Sequence, residues 1–232
     1  MPKFIVDFFP NVANYWDIFL TALTATYQMF FIAGLITLLI GGAFGISLIV
    51  TKTDGIKPNR IIHFILEVIT NVFRAVPFII LLIFLIPLTR SIAGTSIGVK
   101  GAVVPLVFGA VPFYTRQVET ALADVNPGKI EAARSMGSST LGTIFRVYLH
   151  EALPDLIRVT TITAISLIGL TTSAGAVGAG GIGSFAINYG QNLHYQDVVN
   201  LCVILLLIIV SLIQLLGNTL SKATTNKELF HK

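Results

Sequence analysis

Between Asp17 and Lys52 the chain contains no Asp, Glu, Lys or Arg. The densest apolar part, residues 29–50, is as long as the run of about 20 residues that a helix needs to cross a hydrocarbon core roughly 30 Å thick. The pattern recurs. Between Arg158 and Asp197 lies a second stretch without such charges, apolar over 159–177 and glycine-rich after it, and VVNLCVILLLIIVSLIQLLGNTLS follows Asp197 as a clean third. Backbone groups in lipid must be satisfied within the segment, so these stretches are read as helices. Composition points the same way, with 54% hydrophobic residues, 11% charged residues and a mean hydropathy of +0.85.

The middle of the chain is less regular. Residues 61–88 contain His63, Glu67 and Arg74, and residues 101–115 are short and carry Pro105 and Pro112. Both are read as spans, the first with its charges near one end and 75–88 in the core, the second extended through 117–124 with its charged end facing protein or water. The resulting fold class is an all-α integral membrane protein of five transmembrane helices, one domain over residues 1–232. The alternative has four spans, with one of the middle two re-entrant. Basic residues set the orientation. With the N-terminus outside and the C-terminus cytoplasmic, eleven (Lys52, Lys57, Arg60, Arg116, Lys129, Arg134, Arg146, Arg158, Lys222, Lys227 and Lys232) fall inside and three (Lys3, Arg90 and Lys100) outside, while Arg74 lies within a span. The net charge of +4 is thereby a matter of topology, and no basic cluster supports nucleic-acid binding.

Several features carry no catalytic reading. No basic region precedes a small-residue cleavage site, so no cleavable signal is expected at the N-terminus, where Asp7 and Asp17 flank a weak apolar start. Cys202 sits mid-span and is read as packing, and no Cys/His spacing suits a metal. His63 and Glu67, four apart, lack a third ligand and are read as structural, while Arg116 and Glu119 are placed to neutralise each other on one helix face. The tract 178–183, GAGGIG, matches the G-x-G-x-x-G pattern of dinucleotide sites, but it follows a membrane span and its next acid, Asp197, is only fourteen residues beyond Gly183. Its glycines Gly178, Gly180, Gly181 and Gly183 suit a tight re-entrant turn or close helix packing, and a gate bordering a transport path is the sharper reading.

One polar insertion, residues 126–154, interrupts the apolar tracts and falls on the cytoplasmic side. Asn126 suits an N-cap, Pro127 the first helical position and Gly137 a left-handed terminus, predicting a short helix over 127–136. Ala132 and Ala133 beside Glu131 would form a compact ridge. Ser138 or Ser139 would cap a second helix through Val147, with Leu141, Ile144, Phe145 and Tyr148 available for an apolar side, and Leu153-Pro154 would reset the chain. Helices this short need a docking partner, either their own bundle or another subunit.

Glu131-Ala132-Ala133, then Gly137, Val147 and Leu149, resembles the EAA loop of ABC importer permeases. The family's last proline is replaced by His150, with Pro154 four residues on. The likeness extends to NVFRAVPFIILL at 71–82, to Pro87, Arg90 and 94–98, and to 175–183 with Tyr189-Gly190, segments that are similar to the permeases of methionine importers. The resemblance covers roughly residues 15–220.

This resemblance implies a type I ABC importer permease in a bacterial cell membrane. Two copies of the chain would form the pore, two cytoplasmic ATP-binding subunits would dock on the loop through Glu131, Ala132, Ala133, Arg134, Met136 and Gly137, and an extracytoplasmic binding protein would deliver methionine. Transport would follow alternating access, driven by ATP-dependent closure of the docked subunits. ATP and Mg2+ would belong to those partners, since this sequence lacks a G-x-x-x-x-G-K-[ST] loop. Another amino acid or small polar substrate is the alternative within the superfamily. A secondary transporter lacks its embedded coupling carboxylate here, and an intramembrane enzyme its convergent nucleophile and base.

Overall fold

The computed structural model describes residues 8–229, with side chains through Thr225. Lys3 and Asp7, the side chain of Lys227, and Lys232 lie outside the described residues. The elements in chain order are α1 (Pro10–Asn14), α2 (Trp16–Thr51), α3 (Arg60–Ala75), α4 (Phe78–Phe84), α5 (Ile86–Ala93), α6 (Gly98–Ala123), α7 (Pro127–Ser135), α8 (Thr140–Thr143), a π-helical turn (Ile144–Tyr148), α9 (Leu149–Glu151), α10 (Leu153–Ala174), a second π-turn (Gly175–Ala179), α11 (Gly181–Phe185), a third (Ala186–Gln191) and α12 (Gln196–Leu229). No strand occurs among the described residues.

Four helical stretches are long and apolar enough to cross a bilayer unaided, at Trp16–Thr51, Gly98–Ala123, Leu153–Ala179 and Gln196–Thr225. The third expected span is thus one unbroken helix despite Pro105 and Pro112. The second is not: α3 and α4 are sharply bent at the break before Pro77, so the count is four, or five where the bent pair is one broken span. Val76 precedes a proline and is steered out of the helical region, which ends α3. Helix α2 has 36 residues, about 54 Å at 1.5 Å per residue, and so outlasts the hydrocarbon core.

The chain divides into two compact units, and each long helix contributes to both. The first unit comprises the described residues up to Leu35, Val76–Gly109 and Ala164–Ile213. Its core joins Val12, Phe19, Ile182, Phe185, Val198 and Cys202, so the cysteine is a packing residue. Asn11 clasps α12 with two donors: its backbone N–H reaches Asp197 Oδ2 and its side-chain amide Oδ1, both at 2.9 Å. The second unit comprises Ile36–Ala75, Ala110–Thr163 and the described residues from Gln214 on. Here a Cβ on Gly45 would stand 2.7 Å from the Val118 side chain and 2.9 Å from the Thr115 carbonyl, which is why α2 and α6 approach so closely. The Tyr114 hydroxyl bonds Thr160 Oγ1 at 2.9 Å, and Ser221 Oγ donates to the Pro154 carbonyl at 3.1 Å.

Candidate functional site

The insertion folds within the second unit, and its local chemistry is as the sequence reads. Asn126 Oδ1 accepts the Gly128 N–H at 2.8 Å, Pro127 opens α7, and Met136 closes it. Gly137 follows at φ +82, with its N–H on the Arg134 carbonyl and the Ser138 N–H on the Ala133 carbonyl, both 3.0 Å. These two bonds make a Schellman terminus, which requires a left-handed residue at that position. Of the two serines offered as the next cap, Ser139 serves: its Oγ accepts the Gly142 N–H at 3.1 Å. The helix that follows does not stop at Val147 but runs through the π-turn to Glu151. His150, at the family's proline position, is exposed there, and Pro154 sits in the first turn of α10.

Side-chain direction corrects two expectations. Ala133 is only 8% exposed and turns toward its own unit, so the ridge is made by Glu131 and Ala132 without it. The apolar side divides likewise. Ile144 and Tyr148 are buried with Ile49, Val50, Ile56, Leu122 and Val125, while Met136, Leu141 and Phe145 stand outward at 81, 67 and 64% exposure. The two inner residues anchor the loop, and the three outer ones leave their apolar side chains uncovered. Lys129 and Glu151 form an ion pair that ties α7 to α9. Between the 52–57 loop and α7 lies a cavity of about 200 Å³ whose wall includes Lys52, Asp54, Glu131, Arg134 and Tyr148. Burial, with Asp54 nearby, holds the Tyr148 phenol above its ordinary range, and Arg134 only partly offsets this, so it stays neutral.

The charged residues of the middle helices form a network within the same unit. Arg116 bonds Glu119 at 2.6 Å, as the spacing suggested, and also reaches Asn71 at 3.0 Å and Glu67 at 3.5 Å. His63 approaches Glu67 at 3.8 Å and the Leu48 carbonyl at 3.1 Å. Among the described residues no group of three or more His, Cys, Asp or Glu is placed to hold a metal ion.

The glycine tract belongs to the first unit and makes a fold-back. The chain leaves the helix at Val177 and Gly178, whose φ is +90, and re-enters one after Gly180, at φ 79 and ψ -159, a region open to glycine alone. Gly181 also has a positive φ. The two limbs then meet backbone to backbone: a Cβ on Gly175 would lie 2.6 Å from the Ser184 N, and one on Gly183 would collide with the Thr172 carbonyl. No strand feeds this tract, which removes the dinucleotide reading. Sequence reasoning missed Thr26, whose Oγ1 accepts the Ile182 N–H at 2.9 Å across 156 positions.

Residues 43–226 match the family described as the binding-protein-dependent transport system inner membrane component. A Vibrio cholerae protein named as a probable D-methionine transport system permease, MetI, is 38% identical, covering 91% of this chain and 94% of its own length. The Bacillus subtilis methionine import system permease MetP is 41% identical over 75% of this chain and 78% of its own. A solved structure of the inward-facing MetNI methionine ABC transporter superposes with a TM-score of 0.86 at 42% identity, covering 89% of this chain and 96% of that one.

Proposed function

The chain belongs to the family of binding-protein-dependent transport system inner membrane components, and from that premise we propose that this permease subunit of an ABC importer passes methionine across a bacterial cytoplasmic membrane. Two copies would form the pore, with the N-terminus outside and the C-terminus in the cytoplasm. An extracytoplasmic binding protein would supply the substrate on one side, and two ATP-binding subunits, which hold the ATP and Mg2+, would dock on the other. The observation that carries the reading is the 126–151 segment. It is capped at both ends of α7, anchored from behind by Ile144 and Tyr148, and it presents Met136, Leu141 and Phe145 to solvent. A short capped helix beside exposed apolar side chains suits transmission of force from a partner: closing the ATP-binding pair draws two such segments together and biases the bundle between its access states.

Glu131 and Ala132 would touch that partner directly, with Arg134 and Met136 beside them and Gly137 fixing the helix end. Gly178, Gly180, Gly181 and Gly183 would border the transport path as its gate. The test is reconstitution of the complete transporter in proteoliposomes with ATP enclosed and binding protein outside. Uptake of labelled methionine, suppressed by excess cold methionine and unaffected by other amino acids, is the expected result. Competition by a different amino acid at lower concentration than methionine would reassign the substrate. Uptake that persists without the ATP-binding subunits would remove the coupling role of the insertion.

A further inference from the structure

The amides at the start of a helix have no partner within it, and the side chain of the preceding residue normally accepts the one from the second position. At α11 the preceding residue is Gly180, which has no side chain, and the second position is Ile182. Its N–H is taken by Thr26 Oγ1 at 2.9 Å, from the first third of α2. Thr26 is 2% exposed, and its hydroxyl hydrogen is directed at the Ala22 carbonyl, 3.1 Å away, so its oxygen lone pairs are free to accept. A Cβ on Gly181 would stand 2.7 Å from that oxygen and 2.9 Å from Met29 Cε, so the absence of a side chain at 181 is what lets the hydroxyl reach the helix end. Among the described residues this is the one hydrogen bond joining α2 to the fold-back.

We propose that Thr26 is a positioning residue of the transport path: its hydroxyl caps α11 from another helix and latches the glycine fold-back to α2. The inference rests on the reading of the tract as the gate and adds what holds it. The fold-back is stiff in itself, because its limbs pack backbone on backbone at Gly175 and Gly183. It therefore moves as a body, and the bond to Thr26 sets how far the position seen in the structure is favoured over a displaced one. Buried amides in native folds are paired, and losing the partner here favours the displaced position.

The test uses the assembled transporter with Cys202 replaced by Ala and a reporter cysteine at Val177, a residue 37% exposed at the turn. Thr26→Val keeps the volume and removes the acceptor, and Thr26→Ser keeps the acceptor. Thr37→Val is the control, since Thr37 is another buried threonine of α2 whose hydroxyl lacks a partner in the structure. The expected result is a labelling rate at 177 raised about tenfold by Thr26→Val, equivalent to ~1.4 kcal/mol. Thr26→Ser and Thr37→Val should stay within about twofold, and membrane content and co-purification of the ATP-binding subunit should be unchanged. Uptake should fall with Thr26→Val and recover with Thr26→Ser.

A Thr26→Val rate equal to wild type overturns the latch, as does an equal rise in Thr37→Val, which would make the effect one of α2 in general. If Thr26→Val is not recovered from membranes, Thr26→Ala takes its place and is judged by the same rates. Gly181→Val separates the two ideas. Abolished uptake in Gly181→Val with normal uptake in Thr26→Val leaves the gate standing and removes the latch, and normal uptake in both removes the gate and the latch with it.

Discussion

Replacing Gly137 by valine isolates the contribution of one backbone angle to docking. A Cβ placed at 137 meets nothing within 4 Å, so crowding by neighbours contributes no cost. What remains is the φ of +82, which an L-residue adopts at a cost of ~1–2 kcal/mol, with a β-branched side chain at the upper end. Relaxing that angle instead breaks the Gly137 to Arg134 and Ser138 to Ala133 bonds, each worth ~1 kcal/mol net. By either route the properly ended helix loses ~1–2 kcal/mol, which lowers its population about five- to thirtyfold. Asparagine tolerates the left-handed region, so Gly137→Asn should lose far less. The assay is titration of the detergent-solubilised permease with its ATP-binding subunit. We expect Gly137→Val to weaken apparent affinity by about that five- to thirtyfold factor at unchanged membrane content, and Gly137→Asn to stay within about threefold of wild type. Wild-type affinity in the valine variant, or equal weakening in both, would refute the conformational argument.

Ala132→Asp and Ala133→Asp should separate by burial. The first places its charge on the exposed face, so it should leave the permease intact and abolish co-purification of the ATP-binding subunit. The second buries a carboxylate behind α7 and should lower the thermal stability of the permease itself, by several kcal/mol. For orientation, in a background lacking Cys202, a cysteine at Thr95 should react with an impermeant reagent on intact cells, whereas cysteines at Ser138 and Thr225 should react only after permeabilisation. Reaction at Ser138 from outside would invert the topology and move the docking segment to the wrong side of the membrane.

The parts of this fold that could be read from sequence are those decided within a few residues. Asn126, Pro127, Gly137 and Ser139 declare a start, a stop and a second start because capping needs a particular side chain, or none, at a fixed offset from the helix end. The long apolar intervals declare spans because the bilayer sets their length. Facing was harder to read. Leu141 and Phe145 have the same spacing as Ile144 and Tyr148 and the same apolar character, and only the presence of Ile56, Leu122 and Val125 behind the second pair turns it inward. Ala133 is hidden for the same reason. Val76-Pro77 marks the break in the second span, but the apolar run continues past it to Leu88, and length alone does not show a bend. The Thr26 to Ile182 bond and the attachment of Arg116 to Glu67 and Asn71 join distant positions, and neither end advertises the other.

The fold-back held together at Gly175 and Gly183 has a consequence for how such a permease diversifies. At these two positions, where the limbs touch through main-chain atoms, substitution has almost nothing to vary, since an added side chain enters space already filled by a carbonyl or an amide. Selection for a new cargo therefore has to act on residues around these two contacts while Gly175 and Gly183 stay the same, and a designer seeking altered selectivity would leave that pair untouched and randomise its neighbours.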